Sequence, residues 1–165
     1  MSYTKRQFTI RKTLVRDAYA IAAVIREAFL VDCAPVNSET GILFFVKVQN
    51  PGYFKRKVPE FISAYVAEQD GMVVGEIAMS EGISSLFVLP EYQKMGIGKR
   101  LIATAIPGWA EKSKKDIVIV NSSPNAVSFY ENIGFAQIGE EQLNNDVRCI
   151  PMKADITTVI GKVNS

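Results

Sequence analysis

No histidine occurs among the 165 residues, which removes the usual general base and any Ser/His or Cys/His nucleophilic pair. Proton transfer must rest on carboxylates, tyrosine, water and backbone. Cys33 and Cys149 lie far apart and have no histidine to complete a zinc site, so no metal and no disulfide framework is expected and reduced thiols are the default. The strongest chemical signal is a turn. Ser84 to Leu101, SSLFVLPEYQKMGIGKRL, joins an apolar strand to a helix, with Pro90 ending the sheet pairing. Gly96 and Gly98 then let backbone N–H groups point into a concave turn where the helix opens. Those N–H groups and the positive end of the helix dipole favour an anion, and phosphate above all.

Two common phosphate motifs do not fit this turn. A Walker A loop needs a glycine five residues before Gly98, where Gln93 stands, and a Ser or Thr after Lys99, where Arg100 stands. A dinucleotide fingerprint starting at Gly96 would put its third glycine at Leu101. The pattern of Val88, Pro90, Gln93-Lys94-Met95-Gly96-Ile97-Gly98 and Leu101 instead resembles the acyl-CoA-binding motif of the GNAT acyltransferase superfamily, Val-x-Pro-x-x-Gln/Arg-x-x-Gly-x-Gly/Ala. About thirty residues later, VNSSPNAVSFYENIGF from Val120 to Phe135 resembles the second signature of that family. There a strand leads to a short helix carrying a tyrosine, followed by Gly-Phe, here Tyr130, Gly134 and Phe135.

The resemblance, good from Ala64 to about Met152 and weak over the first sixty residues, implies the GNAT fold and acetyl-CoA as acyl donor. It implies direct transfer to a primary amine, with no covalent enzyme intermediate. By resemblance, backbone N–H groups of Lys94, Met95, Gly96, Ile97, Gly98 and Lys99 hold the pyrophosphate. Leu86, Phe87 and Val88 border the pantetheine arm, and the Val88 N–H faces the thioester carbonyl, where it would steady the developing oxyanion. Tyr130 falls at the general acid that protonates the departing thiolate; otherwise its ring packs on the sheet. Many members carry an asparagine where this chain has Ser123. That serine can still touch pantetheine as well as cap a helix, and Asn125 can supply the amide contact or stand as a solvated first-turn residue. For the general base the resemblance points first to Glu81, although its tight turn also suits an exposed residue, and then to Glu76, whose strand can equally turn it to solvent.

The elements that must position these groups follow from period and punctuation. A strand near Phe8 to Lys12 precedes a helix with Ala18, Ile21, Ala22, Ile25 and Phe29 on one face. Ile42 to Val48 reads as helix or strand, Asn50-Pro51-Gly52 as punctuation, and the residues near Phe61 as another helix. Strands Ala64 to Gln69 and Met72 to Met79 flank Asp70-Gly71, a strong hairpin signal. Ile83 to Val88 enters the phosphate turn and a helix follows, which Pro107-Gly108 should break or kink. Ile117 to Val120 should run parallel to the strand before that crossover. Ser123-Pro124 starts a helix that Gly134 stops. Strands near Ala136 to Leu143 and Val147 to Met152 complete an α/β (α+β) fold: a mixed, mostly antiparallel sheet with helices on both faces and a splayed parallel pair.

Composition narrows the class. A chain of 165 residues, 48% apolar, is one domain's worth, expected to span 1–165 without linker or repeat. Nineteen basic against seventeen acidic residues leave a net charge of +2, no footprint for nucleic acid or an anionic membrane. Lys55-Arg56-Lys57 reads as a solvated face, and Lys112, Lys114 and Lys115 as partners of a helix C-terminus. Met1 to Lys12 lacks an apolar leader core and no stretch reaches membrane-spanning length, so a cytoplasmic enzyme is expected. The acceptor that the resemblance implies is a small-molecule or peptide amine, with Phe44, Phe45, Tyr53 and Phe54 available to wall an apolar or aromatic pocket. The competing readings are a non-catalytic acyl-CoA-binding regulatory module and, more weakly, a nucleotide-binding protein.

Overall fold

The computed structural model describes residues 7–165; the first six, part of the segment read for a leader, lie outside the described residues. Strand β1 (Thr9–Lys12) is followed by α1 (Ala18–Asp32), α2 (Glu39–Val48) and α3 (Pro51–Lys57). The Ile42 to Val48 run is thus helical. Ser38 starts it by accepting the Gly41 N–H at 3.1 Å, an N-cap that supplies one orphan donor with a partner. Asn50-Pro51-Gly52 is not punctuation but the next helix start: Asn50 Oδ1 accepts the Tyr53 N–H at 3.0 Å and Pro51 occupies the first helical position. The helix expected near Phe61 is only a 3-10 turn at Val58–Glu60, after which Phe61 is extended.

Strands β2 (Ser63–Gln69) and β3 (Met72–Met79) form the hairpin, with Asp70 at φ 52° and Gly71 at φ 77°, the left-handed pair that a two-residue turn needs. Strand β4 (Ile83–Val88) leads to α4 (Ile97–Ser113), β5 (Ile117–Ser122), α5 (Val127–Asn132), β6 (Ala136–Gln137), β7 (Gln142–Asn144), β8 (Val147–Asp155) and α6 (Ile156–Val163). The sheet order is β1-β2-β3-β4-β5-β8-β6, with β7 also on β8. Neighbours are antiparallel except β4 and β5, which are parallel. Helix α4 meets the Gly75 side of β3 through Ile97. Phe87 on β4 faces the other side, toward Phe45 and the α1 residue Phe29 stacked on it. Both faces of the central strands are therefore covered.

Three further expectations fail. Helix α4 runs through Pro107 and Gly108 because Leu101, Ile102, Ala105, Ile106 and Trp109 are all fully buried, and Trp109 Nε1 donates to the Ser80 carbonyl at 2.6 Å. Burying several large side chains, each worth about 1.5–3 kcal/mol, outweighs the roughly 3 kcal/mol penalty of an internal proline. The single strand expected over Ala136 to Leu143 is two short ones, because β8 carries Pro151 opposite the interruption and a proline has no N–H for the ladder. Strand β8 also runs on to Asp155, and α6 follows with Ile156 and Val159 buried.

Candidate active site

The parallel pair β4/β5 has one register pair, Ile83 with Val120. Beyond it β5 stays on β8, with Asn121 opposite Pro151 and Ser122 opposite Ile150, while β4 stays on β3 up to Val88. The sheet opens between Leu86-Phe87-Val88 and Asn121-Ser122. Strand alternation fixes which backbone groups face the opening. The Leu89 N–H donates to Val74 on β3 at 2.9 Å, so the N–H and C=O of Val88 point away from β3, toward the gap. Its carbonyl is taken there by Gln93 Nε2 at 3.0 Å, and the same nitrogen reaches Asp32 Oδ2 at 2.6 Å. Gln93 thereby ties the phosphate turn to both β4 and the end of α1, leaving the Val88 N–H facing the opening.

The turn has the geometry that its glycines suggest. Gly96 sits at φ 83°, the left-handed region that favours glycine, as N-cap of α4, and a β-carbon there would meet nothing within 4 Å. Open space with N–H groups at a helix start fits a pyrophosphate. Gly98 has a packing role as well, since its ideal β-carbon would lie 3.3 Å from the Phe129 ring. One cleft, lined by Leu86, Phe87, Val88, Gly96, Gly98 and Tyr130, runs from the turn into the opening, and Lys94, Ile97, Lys99, Ser123 and Asn125 also border it. Met95 does not line it and is 37% exposed. Ser123 precedes the 3-10 turn Pro124–Ala126 without the side-chain cap expected of it, which leaves its hydroxyl beside the Cys33 thiol.

A second cavity, of about 390 Å³, adjoins the first. Cys33, Phe87, Ser123, Ala126 and Tyr130 line both, so the two meet at Tyr130. That residue is 5% exposed, its ring held edge-on by Phe129 and Phe135, each at 5.2 Å. Gly134, at φ 102°, returns the chain so that Phe135 can make this contact, which accounts physically for the Tyr…Gly-Phe spacing. Burial and the nearby Glu76 carboxyl push the Tyr130 phenol above its ordinary value, so it keeps its proton throughout the neutral range.

The two carboxylates part company. Glu81 is exposed on the β3–β4 turn, where Lys115 Nζ donates to it at 2.7 Å and holds its carboxyl below the usual range. It lines neither cavity; the structure leaves it outside the site. Glu76 is 2% exposed, accepts the Ser85 hydroxyl at 2.9 Å through Oε2, and has no partner for Oε1. Burial raises it to about 8, against the opposing hydrogen bonds from Ser85 and the Phe87 backbone. Ser85 itself lines the second cavity, a contact between cavity and buried carboxyl with no visible sequence signal. Phe44 and Phe45 wall that cavity as expected, together with Phe29. Tyr53 and Phe54 do not, because Phe54 is in the core and Tyr53 packs edge-on against it. Burial pushes the Cys33 thiol up to about 11, so it stays protonated. Among the described residues no group of three or more His, Cys, Asp or Glu is placed to hold a metal ion, and no helix is long and apolar enough to cross a membrane.

The opened parallel pair, the helix-opening glycine turn and the tyrosine where two cavities meet are thus brought together along one cleft. The family model for the acetyltransferase (GNAT) domain matches residues 33–156, and the chain belongs to that family. Solved structures with the same fold include a GCN5-related N-acetyltransferase from Rhodopseudomonas palustris, 21% identical with TM-score 0.77, the match covering 89% of this chain and 94% of that one. PaiA N-acetyltransferase from Thermoplasma acidophilum, in complex with coenzyme A, is 21% identical with TM-score 0.73, covering 90% and 99%. YncA of Salmonella typhimurium, solved with its cofactor acetyl-CoA, is 19% identical with TM-score 0.61, covering 91% and 94%. At these identities the likeness is one of fold.

Proposed function

We propose that this chain is an N-acetyltransferase using acetyl-CoA, which moves the acetyl group directly to a primary amine of a small molecule or peptide. The observation that carries the reading is the single β4/β5 register pair, because the opening beyond it runs without interruption from the phosphate turn to Tyr130. The coenzyme A and acetyl-CoA bound to the PaiA and YncA relatives support the same donor.

Bound acetyl-CoA supplies an activated thioester; positioning and proton movement fall to the chain. The turn N–H groups from Lys94 to Lys99 bind the pyrophosphate, and the Val88 N–H polarises the carbonyl. Ser85 accepts a proton from the attacking amine while passing its own to Glu76, which serves as base in its ionised form. Tyr130 gives its proton to the departing thiolate. The proton held by Glu76 then returns to Tyr130, its electrostatic neighbour, and the cycle balances. Glu76 is therefore preferred to Glu81 as the base. Amine-dependent thiol release from acetyl-CoA tests the reaction. Stabilisation by acetyl-CoA with no shift from ATP or NAD tests the donor, since only a ligand of the native state raises the melting temperature. No thiol release with any amine, or equal shifts by all three ligands, refutes the proposal.

A further inference from the structure

The second cavity reads as the acceptor site, and its lining limits the amines that fit. Its apolar wall is aromatic: Phe29 and Phe45 stack at 3.8 Å with an 11° interplanar angle, Phe87 tilts against Phe45 at 6.1 Å, and Phe44 and Val48 extend the wall. The β7–β8 hairpin contributes Asn144, Asn145 and Arg148 to the lining. The turn is fixed to α2, because a β-carbon on Gly41 would collide with the Asp146 carbonyl. Among the described lining residues there is no Asp or Glu. The one cation among the described lining residues, Arg148, is matched from outside the cavity by Glu141, whose two carboxylate oxygens both accept from Nη2 at 2.8 and 3.0 Å, and its Nη1 donates to the Val36 carbonyl.

Resting on the acetyltransferase reading above, we infer that the acceptor is a monoamine bearing a flat apolar body, of the arylalkylamine type, and that polycationic amines are excluded. A flat ring gains dispersion and aromatic contact along the phenylalanine wall, within a volume suited to a small ligand. The amine enters at the Ser85 end, where it can lose its proton. A second or third ammonium, by contrast, would surrender its water shell with no carboxylate to receive it. The asymmetry is large because an unpaired buried charge costs far more than a missing methylene gains.

The test compares 2-phenylethylamine, spermidine and kanamycin at fixed acetyl-CoA. kcat/KM for 2-phenylethylamine should exceed the other two by at least about a hundredfold. Phe44→Ala should raise the amine KM about tenfold and leave the acetyl-CoA KM unchanged, since Phe44 is partly exposed and lines the second cavity alone. Phe44→Glu, which supplies the missing carboxylate, should narrow the preference over spermidine about tenfold or more. A preference for spermidine or kanamycin, or an unchanged ratio in Phe44→Glu, overturns the inference. Calorimetry with coenzyme A present reads binding apart from chemistry. If 2-phenylethylamine binds and spermidine does not, the inference stands even where thiol release fails, and that failure then falls on the catalytic reading alone. Binding of neither amine, or of spermidine alone, overturns the inference whatever the turnover.

Discussion

Replacing Glu76 with Gln exchanges a titratable buried acid for a neutral group of the same shape, and the structure sets both sign and size of the effect. The carboxyl is raised from 4.5 to about 8 by burial. Below pH 4.5 folded and unfolded chains both hold the proton, so the group adds no pH dependence. Between 4.5 and 8 the folded chain keeps a proton that the unfolded chain releases, and wild-type stability falls as pH rises, by ~1.4 kcal/mol per pH unit. Above 8 both states are ionised and the loss levels off, at a ceiling of about 5 kcal/mol. Solvent hardly screens this carboxyl, because the side chain is 2% exposed. The substituted glutamine carries no such titration and can still accept the Ser85 hydroxyl. Urea unfolding of both proteins at a series of pH values from 4 to 9 should give a stability difference that grows in favour of the Glu76→Gln variant and reaches a plateau near pH 8. Turnover should show the opposite ordering: the wild-type kcat rises through about pH 8 as Glu76 ionises, and the variant is slow and loses that limb. A stability difference that stays flat from pH 5 to 8 would refute the raised pKa of Glu76, and a retained kcat limb would refute the base assignment.

Tyr130→Phe should lower kcat by about a hundredfold or more while acetyl-CoA still stabilises the fold, as judged by thiol release and melting, because one hydroxyl is lost and the packed ring remains. Gly96→Val should raise the acetyl-CoA dissociation constant at least about tenfold in a protein that still folds, since the left-handed backbone and the open space above it are both lost to the side chain; unchanged affinity by calorimetry would refute the phosphate assignment. Glu81→Gln should leave kcat and its pH profile within about twofold of wild type, because an exposed pair with Lys115 has little influence on the cleft; a lost acidic limb in that variant would reinstate Glu81 as base.

What could be read from the sequence follows the range of the forces involved. The hairpin at Asp70-Gly71, the strand into the Gly96 turn and the Tyr130…Gly134-Phe135 arrangement are local: a few residues impose their own backbone angles, and the structure carries them as expected. Long-range packing was not legible. Pro107 says stop, but the buried face from Leu101 to Trp109 continues α4 regardless. Choosing between the glutamates needed the sheet order. A strand residue faces water only where one side of the sheet is bare, and β3 is an inner strand covered on both faces, so Glu76 is sealed in while the turn residue Glu81 is not. The second cavity depended likewise on tertiary placement: neighbouring aromatics diverge, Phe44 and Phe45 toward the cavity, Phe54 into the core. Ser85 looks ordinary in sequence and gains its role from the carboxyl diagonally across the strands.

The opening between β4 and β5 also bears on how the molecule hangs together. With one register pair across it, the sheet is a hinge plate of two leaves, β1 to β4 on one side and β5 with β8, β6 and β7 on the other. What clasps the leaves is largely off the sheet: α4, the covalent crossover, lies along the first leaf and packs against α6, which grows from the end of β8 in the second. The angle between the leaves is thus set by that helix pair together with the seat of the β7–β8 turn on α2. A strand-like ligand laid into the opening would complete the missing ladder and act as a further clasp, so that holding such a ligand and fixing the two leaves against each other become one mechanical event.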